Sequence, residues 1–144
     1  MKKNKRIVDW LFLGGAAIIL IGILAWNHRP APPDGIAWHT TLAEAREAAA
    51  ESGKPIFVKF TAEWCGPCKR MDRSTFPNPD VGKTLASFEA VKVDIDKYPD
   101  LAGKFGVQSI PTLIVMTPAG EITKRTSGAL GASDFVSFLT SAGG

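Results

Sequence analysis

The two cysteines of this 144-residue chain, Cys65 and Cys68, stand three positions apart in the stretch AEWCGPCKRM. Two thiols at that spacing support three chemistries: reversible electron exchange, a structural cross-link, or part of a metal site. A cross-link over so short a loop stabilises little, because its entropic benefit grows with loop length. A zinc site needs four ligands, and beyond the pair the chain offers only His28 and His39, with no second C-x-x-C. Asp94, Asp96 and Asp100 lack the ligand spacing of a calcium loop and read as a solvated strand end. Redox exchange is therefore the expectation, with no metal and no cofactor beyond the Cys65–Cys68 disulfide. A thiolate at Cys65 attacks a partner disulfide, and Cys68 then displaces the product from the mixed disulfide.

That chemistry needs Cys65 at the start of a helix, where unpaired backbone N–H groups and the macrodipole favour thiolate over thiol. Pro67 suits such a start, because its ring presets φ and its missing N–H is not needed in the first turn. The motif is preceded by PIFVKFT (residues 55–61), β-branched and aromatic as a strand requires. It is followed by CKRMDRSTF, which reads as one helix until Pro77 and Pro79 interrupt it. A helix over 41–53 is expected from TLAEAREAAAESG, with Thr at its start and Gly53 at its stop. A short helix is expected over 80–87, a strand over 88–95 and a helix over 99–105 opening on Pro99. Runs 112–117 and 121–126 flank Pro118-Ala119-Gly120 and predict a hairpin. A last helix is predicted over 132–141, with Ser133 as its cap and Phe135, Val136, Phe138 and Leu139 inward. Trp38, His39 and Met71 read as packing or surface residues. The order of elements predicts an α/β fold, a mixed central sheet flanked by helices.

FTAEWCGPCK, with SIPT about forty residues later, resembles the thioredoxin family over residues 37–142. Within it, the early helix before the strand and the pattern K-x-x-D-x-x-T-F-x-x-P-D-V, here Lys69 to Val81 with Asp72, Thr75 and Phe76, are similar to extracytoplasmic modules such as the C-terminal domain of DsbD. The resemblance implies a thioredoxin fold and disulfide exchange with Cys65 as nucleophile and Cys68 as resolving thiol. It also implies substrate contacts at Trp64, Gly66, Pro67, Ile110 and Pro111, with Trp64 covering the site and Ile110-Pro111 a cis peptide beside which an extended substrate segment pairs. One position departs from the pattern. Where thioredoxin carries a buried aspartate six residues before the first cysteine, this chain carries Lys59. Cys65, Cys68 and Asp72 fall on one helical stripe. Asp72, paired with Lys59, is thus a candidate proton acceptor for Cys68, with the lysine charge tuning the thiolate. Alternatively, the two are a solvated helix aspartate and a snorkelling lysine.

Residues 10–27, WLFLGGAAIILIGILAWN, carry no charged side chain. As a helix they would span about 27 Å, close to the hydrocarbon thickness of a bilayer. The run is longer than the apolar core of a cleaved signal peptide, and Ala25-Trp26-Asn27 is a poor cleavage site. A retained transmembrane anchor is expected. The cluster at Lys2, Lys3, Lys5 and Arg6 then places residues 1–9 in the cytoplasm and the rest outside it, on the periplasmic side. Residues 28–36 are proline-rich and read as a stiff spacer to a domain over 37–144. From Asp34 onward acidic and basic residues nearly balance. The net charge of +3 therefore comes from the N-terminal cluster and gives no reason to expect nucleic-acid binding.

The expected function is thus a membrane-tethered thiol:disulfide oxidoreductase reducing exported proteins. Its implied partners are protein thiols and disulfides, including those of cytochrome c maturation, and a membrane protein that delivers electrons. A disulfide oxidase or isomerase using the same motif is a second reading. A non-catalytic adaptor or chaperone of the same fold is a third, and it predicts that Cys65→Ser keeps its activity.

Overall fold

The computed structural model describes residues 34–141. The basic terminus 1–9, the apolar span 10–27 and most of the spacer 28–36 lie outside the described residues. Among those described, no helix is long and apolar enough to cross a membrane.

The fold is built around strand β2, Ile56–Thr61, whose alternating side chains serve two cores. Ile56, Val58 and Phe60 face one side of the sheet and Phe57 the other, all of them buried. A strand covered on both faces is apolar throughout rather than alternating, so the charged Lys59 in its middle stands out. Strand β1, Trp38–His39, and strand β3, Glu89–Asp94, run parallel to β2 in the order β1-β3-β2. Strands β4, Thr112–Met116, and β5, Ile122–Ser127, complete the sheet antiparallel. In this register Lys59 stands beside Lys92 of β3 and Leu113 of β4. β1 has no counterpart among the predicted elements, because two residues are too few to show a period of two.

Helix α1, Leu42–Ser52, is held by a full capping box: Thr41 accepts from the Glu44 amide while Glu44 accepts from the Thr41 amide, and Gly53 ends the helix in the left-handed region. It lays Leu42, Ala45 and Ala49 on the Val58 face, beside Ala102 of the short helix α4, Pro99–Lys104. The opposite face is covered by helix α2, Gly66–Arg70, its continuation Met71–Thr75, helix α3, Pro79–Leu85, and helix α5, Ala132–Thr140. There Phe57, Phe76 and Phe135 pack edge to face, with ring centroids 5.2 and 5.4 Å apart. Each buried phenylalanine contributes about 1.5–3 kcal/mol of apolar transfer.

Two predictions are corrected here. The helix expected to run unbroken to Pro77 changes pitch at Met71 and forms a π turn through Thr75, closed by Phe76 N–H donating to Met71 O at 3.0 Å. Met71 and Phe76 are both buried. Five positions apart, they would sit roughly 140° from each other on an α-helix. The wider turn brings both onto the sheet. Helix α5 is capped by Gly131 with no side-chain bond, and Ser133 lies inside the first turn, two positions past the cap.

Candidate active site

Cys65 follows β2 through a turn in which its N–H donates to Ala62 O at 3.1 Å, and it occupies the cap position of α2 in an extended conformation. Its Sγ accepts the Cys68 amide at 3.2 Å, so one of the orphan donors of the first turn points at this sulfur. The two sulfurs are joined as a disulfide. Both cysteines are buried, 3% and 1% exposed, against Ala62, Ile95 and Ile110. Ile110-Pro111 is a cis peptide bond. At Gly66 an added Cβ would meet nothing within 4 Å. Trp64 is 67% exposed, and its indole N–H donates to Asp96 at 2.8 Å.

Beneath the pair lies a line of alternating charges. Lys59, fully buried, directs its Nζ to the Cys68 carbonyl at 3.4 Å and to Asp72 Oδ1 at 2.9 Å. Lys92 reaches the same Asp72 oxygen at 3.0 Å and stands 3.6 Å from Asp34 Oδ2. Burial lowers the Lys59 pKa below its ordinary value, against the opposing pull of Asp72. Burial would raise the Asp72 pKa, but the hydrogen bonds and charges of Lys59 and Lys92 outweigh it and hold the carboxyl below its usual range. Lysine and aspartate are therefore a close pair, and the lysine does not snorkel. A carboxylate held this firmly is a weaker base than an unpaired one. A cleft of about 290 Å³ lined by Thr61, Ala62, Glu63, Lys69, Asp72 and Asp94 opens beside it.

The remaining candidates go elsewhere. His39 Nε2 pairs with Glu89 at 2.8 Å, at the end of β3 away from Asp94, and Trp38 packs into the core beneath Lys92. Asp94 accepts the Asp96 amide at 2.9 Å while Asp96 holds Trp64. Among the described residues no group of three acidic, histidine or cysteine side chains could hold a metal ion.

Comparison with known proteins agrees with this geometry. The thioredoxin family profile matches residues 37–141. The chain belongs to the thioredoxin family. It is 44% identical to a thioredoxin of Streptomyces clavuligerus over 79 residues, 55% of this chain and 70% of the relative. Its fold superposes on the DsbH oxidoreductase with a TM-score of 0.67 at 24% identity, covering 79% of this chain and 88% of that one. It also superposes on the reduced C-terminal domain of Neisseria meningitidis DsbD with a TM-score of 0.63 at 22% identity, covering 69% and 91%. These two likenesses concern the fold.

As a thioredoxin-family protein, the chain uses its own cysteine pair as the redox centre and carries the family's thiol:disulfide oxidoreductase chemistry. Sequence reasoning reached Cys65, Cys68, Lys59 and Asp72 but missed Lys92, Asp34 and Asp96. The alternation of FEAVKVDI puts Lys92 on one face with Ala90, yet only the pairing of β3 with β2 shows that this face is the one beneath Cys68.

Proposed function

We propose that this thioredoxin-family domain is carried outside the cytoplasm on a membrane anchor over residues 10–27, and that it reduces disulfides of exported proteins. The observation that carries the chemistry is the Cys68 amide donating to Cys65 Sγ at the helix start. In the reduced protein the same donor favours the Cys65 thiolate. That thiolate attacks one sulfur of a substrate disulfide, whose S–S bond breaks, and the departing sulfur takes a proton from water. The Cys68 thiol then gives up its proton and attacks Cys65 Sγ. The Cys65–Cys68 bond forms, and the second substrate sulfur leaves and is protonated. Two electrons pass from the pair to the substrate. A membrane protein presenting a dithiol returns them.

In this reading Lys59 favours the Cys68 thiolate by its charge. Asp72 fixes the lysine in place, and the Cys68 proton leaves to water through the cleft it lines with Glu63, Lys69 and Asp94. Trp64, Gly66, Pro67, Ile110 and Pro111 form the surface that meets the substrate. The reductive direction is supported by the Gly66-Pro67 pair, as in thioredoxins near −270 mV rather than oxidants near −120 mV, both approximate. The location is supported by the uncharged span and the basic cluster before it.

The test is trapping in intact cells: a Cys68→Ala variant should accumulate in the membrane fraction as mixed disulfides on Cys65. A variant that captures nothing, while Cys65→Ser keeps its biological activity, contradicts an enzyme and favours an adaptor. An equilibrium potential near that of strong oxidants contradicts the reductive direction.

A further inference from the structure

Asp34 precedes the first strand and lies outside the redox motif, yet its carboxylate is only 12% exposed. One oxygen accepts the Ile36 amide at 3.2 Å, and the other accepts the Trp38 indole N–H at 2.7 Å and faces Lys92 Nζ at 3.6 Å. Lys92 is in turn held at a fixed place. Its ammonium lies over the Trp38 ring at 4.3 Å and near the Phe76 ring at 5.5 Å, and it contacts the Asp72 oxygen that Lys59 also contacts. The line Lys59, Asp72, Lys92, Asp34 thus balances two positive against two negative charges, and its inner end touches the Cys68 carbonyl.

We propose that Asp34 is a positioning residue of the redox site: by pairing with Lys92 it sets the net charge beneath Cys65 and Cys68. The inference rests on the reading of that pair as a working redox centre. A disulfide carries no charge whereas the reduced pair carries a thiolate, so an uncompensated cation below it favours the reduced state. The inner end of the line is buried, and salt screens such a charge less than a surface one. The charged groups facing this space are Lys59 from β2, Asp72 from the π turn, Lys92 from β3 and Asp34. Glu63, Lys69 and Asp94 stand at the edge of the neighbouring cleft.

The experiment uses the full-length protein, reduced and then alkylated with iodoacetamide across a pH series, and in parallel equilibrated with glutathione buffers. Asp34→Asn should lower the midpoint of thiol ionisation, raising the alkylation rate below that midpoint by roughly threefold. It should also move the glutathione equilibrium toward the reduced protein. Lys92→Met should shift both readouts the opposite way. In a Lys92→Met background the Asp34→Asn shift should fall to less than about half, as coupling through Lys92 requires. Trp38→Phe, which keeps the carboxylate and loses the indole donor, should retain the wild-type midpoint. An Asp34→Asn profile that superimposes on wild type, an equal shift in both backgrounds, or a Trp38→Phe shift of the same size overturns the proposal. Should Asp34→Asn fail to fold, Lys92→Met alone decides, and an unchanged midpoint there overturns it too. A wild-type protein that never equilibrates with glutathione sinks the redox reading itself. A wild type that equilibrates normally while Asp34→Asn changes nothing sinks only the role of Asp34.

Discussion

Lys59 Nζ stands 2.9 Å from Asp72 Oδ1, with the lysine completely buried and the aspartate side chain 37% exposed. The two partners are therefore unequal: the lysine depends on the aspartate more than the aspartate depends on it. Asp72→Asn leaves a buried ammonium facing Lys92 without its counter-ion. Breaking a buried pair in this way costs about 3–5 kcal/mol, and the partial exposure of Asp72 lets water recover some of it, so a loss of about 1–3 kcal/mol is expected. Denaturant unfolding measures it. The same variant should resolve its mixed disulfide more slowly, and unchanged stability and kinetics together would remove Asp72 from the account.

Lys59→Met should behave differently. It removes the desolvated charge and leaves Asp72 paired with Lys92, and replacing a buried ion by an apolar chain of similar length is often neutral or stabilising. Stability within about 1 kcal/mol of wild type is expected, with thiol ionisation moved to higher pH because a cation beneath Cys68 is gone. A destabilisation as large as that of Asp72→Asn contradicts the asymmetry.

The acid limb of stability follows from the two lowered carboxyls. Burial would raise the pKa of Glu89, but the hydrogen bonds from His39 and Ser52 outweigh it and lower it, as the lysines do for Asp72. A carboxyl lowered in the folded state contributes stability that is complete above its unfolded pKa, about 3.9 to 4.3. That contribution is lost as pH falls through the folded values. Unfolding free energy should therefore decline below about pH 4. Asp72→Asn should flatten part of that decline. Lys59 adds a slope of the same sign at the alkaline end: its pKa is lowered in the folded state, so its desolvation penalty is present below the folded pKa. It is relieved as pH rises toward the unfolded value, about 10.4.

Trp64 and Asp96 supply a prediction free of stability effects. The indole is largely exposed and held by one hydrogen bond. Asp96→Ala should change stability by less than about 0.5 kcal/mol. It should nevertheless alter the Trp64 fluorescence change on reduction and slow exchange with protein disulfides more than with small ones. Equal effects on both substrate classes contradict a role for Trp64 in meeting proteins.

Much of this was legible in the residues because it is local. The capping box at Thr41 and Glu44, the stop at Gly53 and the helix start at Cys65 are each written within a few positions. Counting around the helix also brought Asp72 toward the sulfurs, and Lys59 met it there. What the sequence hid depends on distant segments meeting. Lys92 joins the site only because β3 pairs in register with β2, and Asp34 only because the chain before β1 folds back over Lys92. The π turn was hidden for a similar reason. Met71 and Phe76 read as helix residues, and the demand that both reach the sheet comes from packing.

The most direct test of the central claim is the pH dependence of Cys65 alkylation in the reduced full-length protein, measured beside exchange with a model disulfide. The account predicts a thiol that ionises below the value of free cysteine, about 8.5, together with rapid exchange. A thiol that ionises like free cysteine and does not exchange contradicts it.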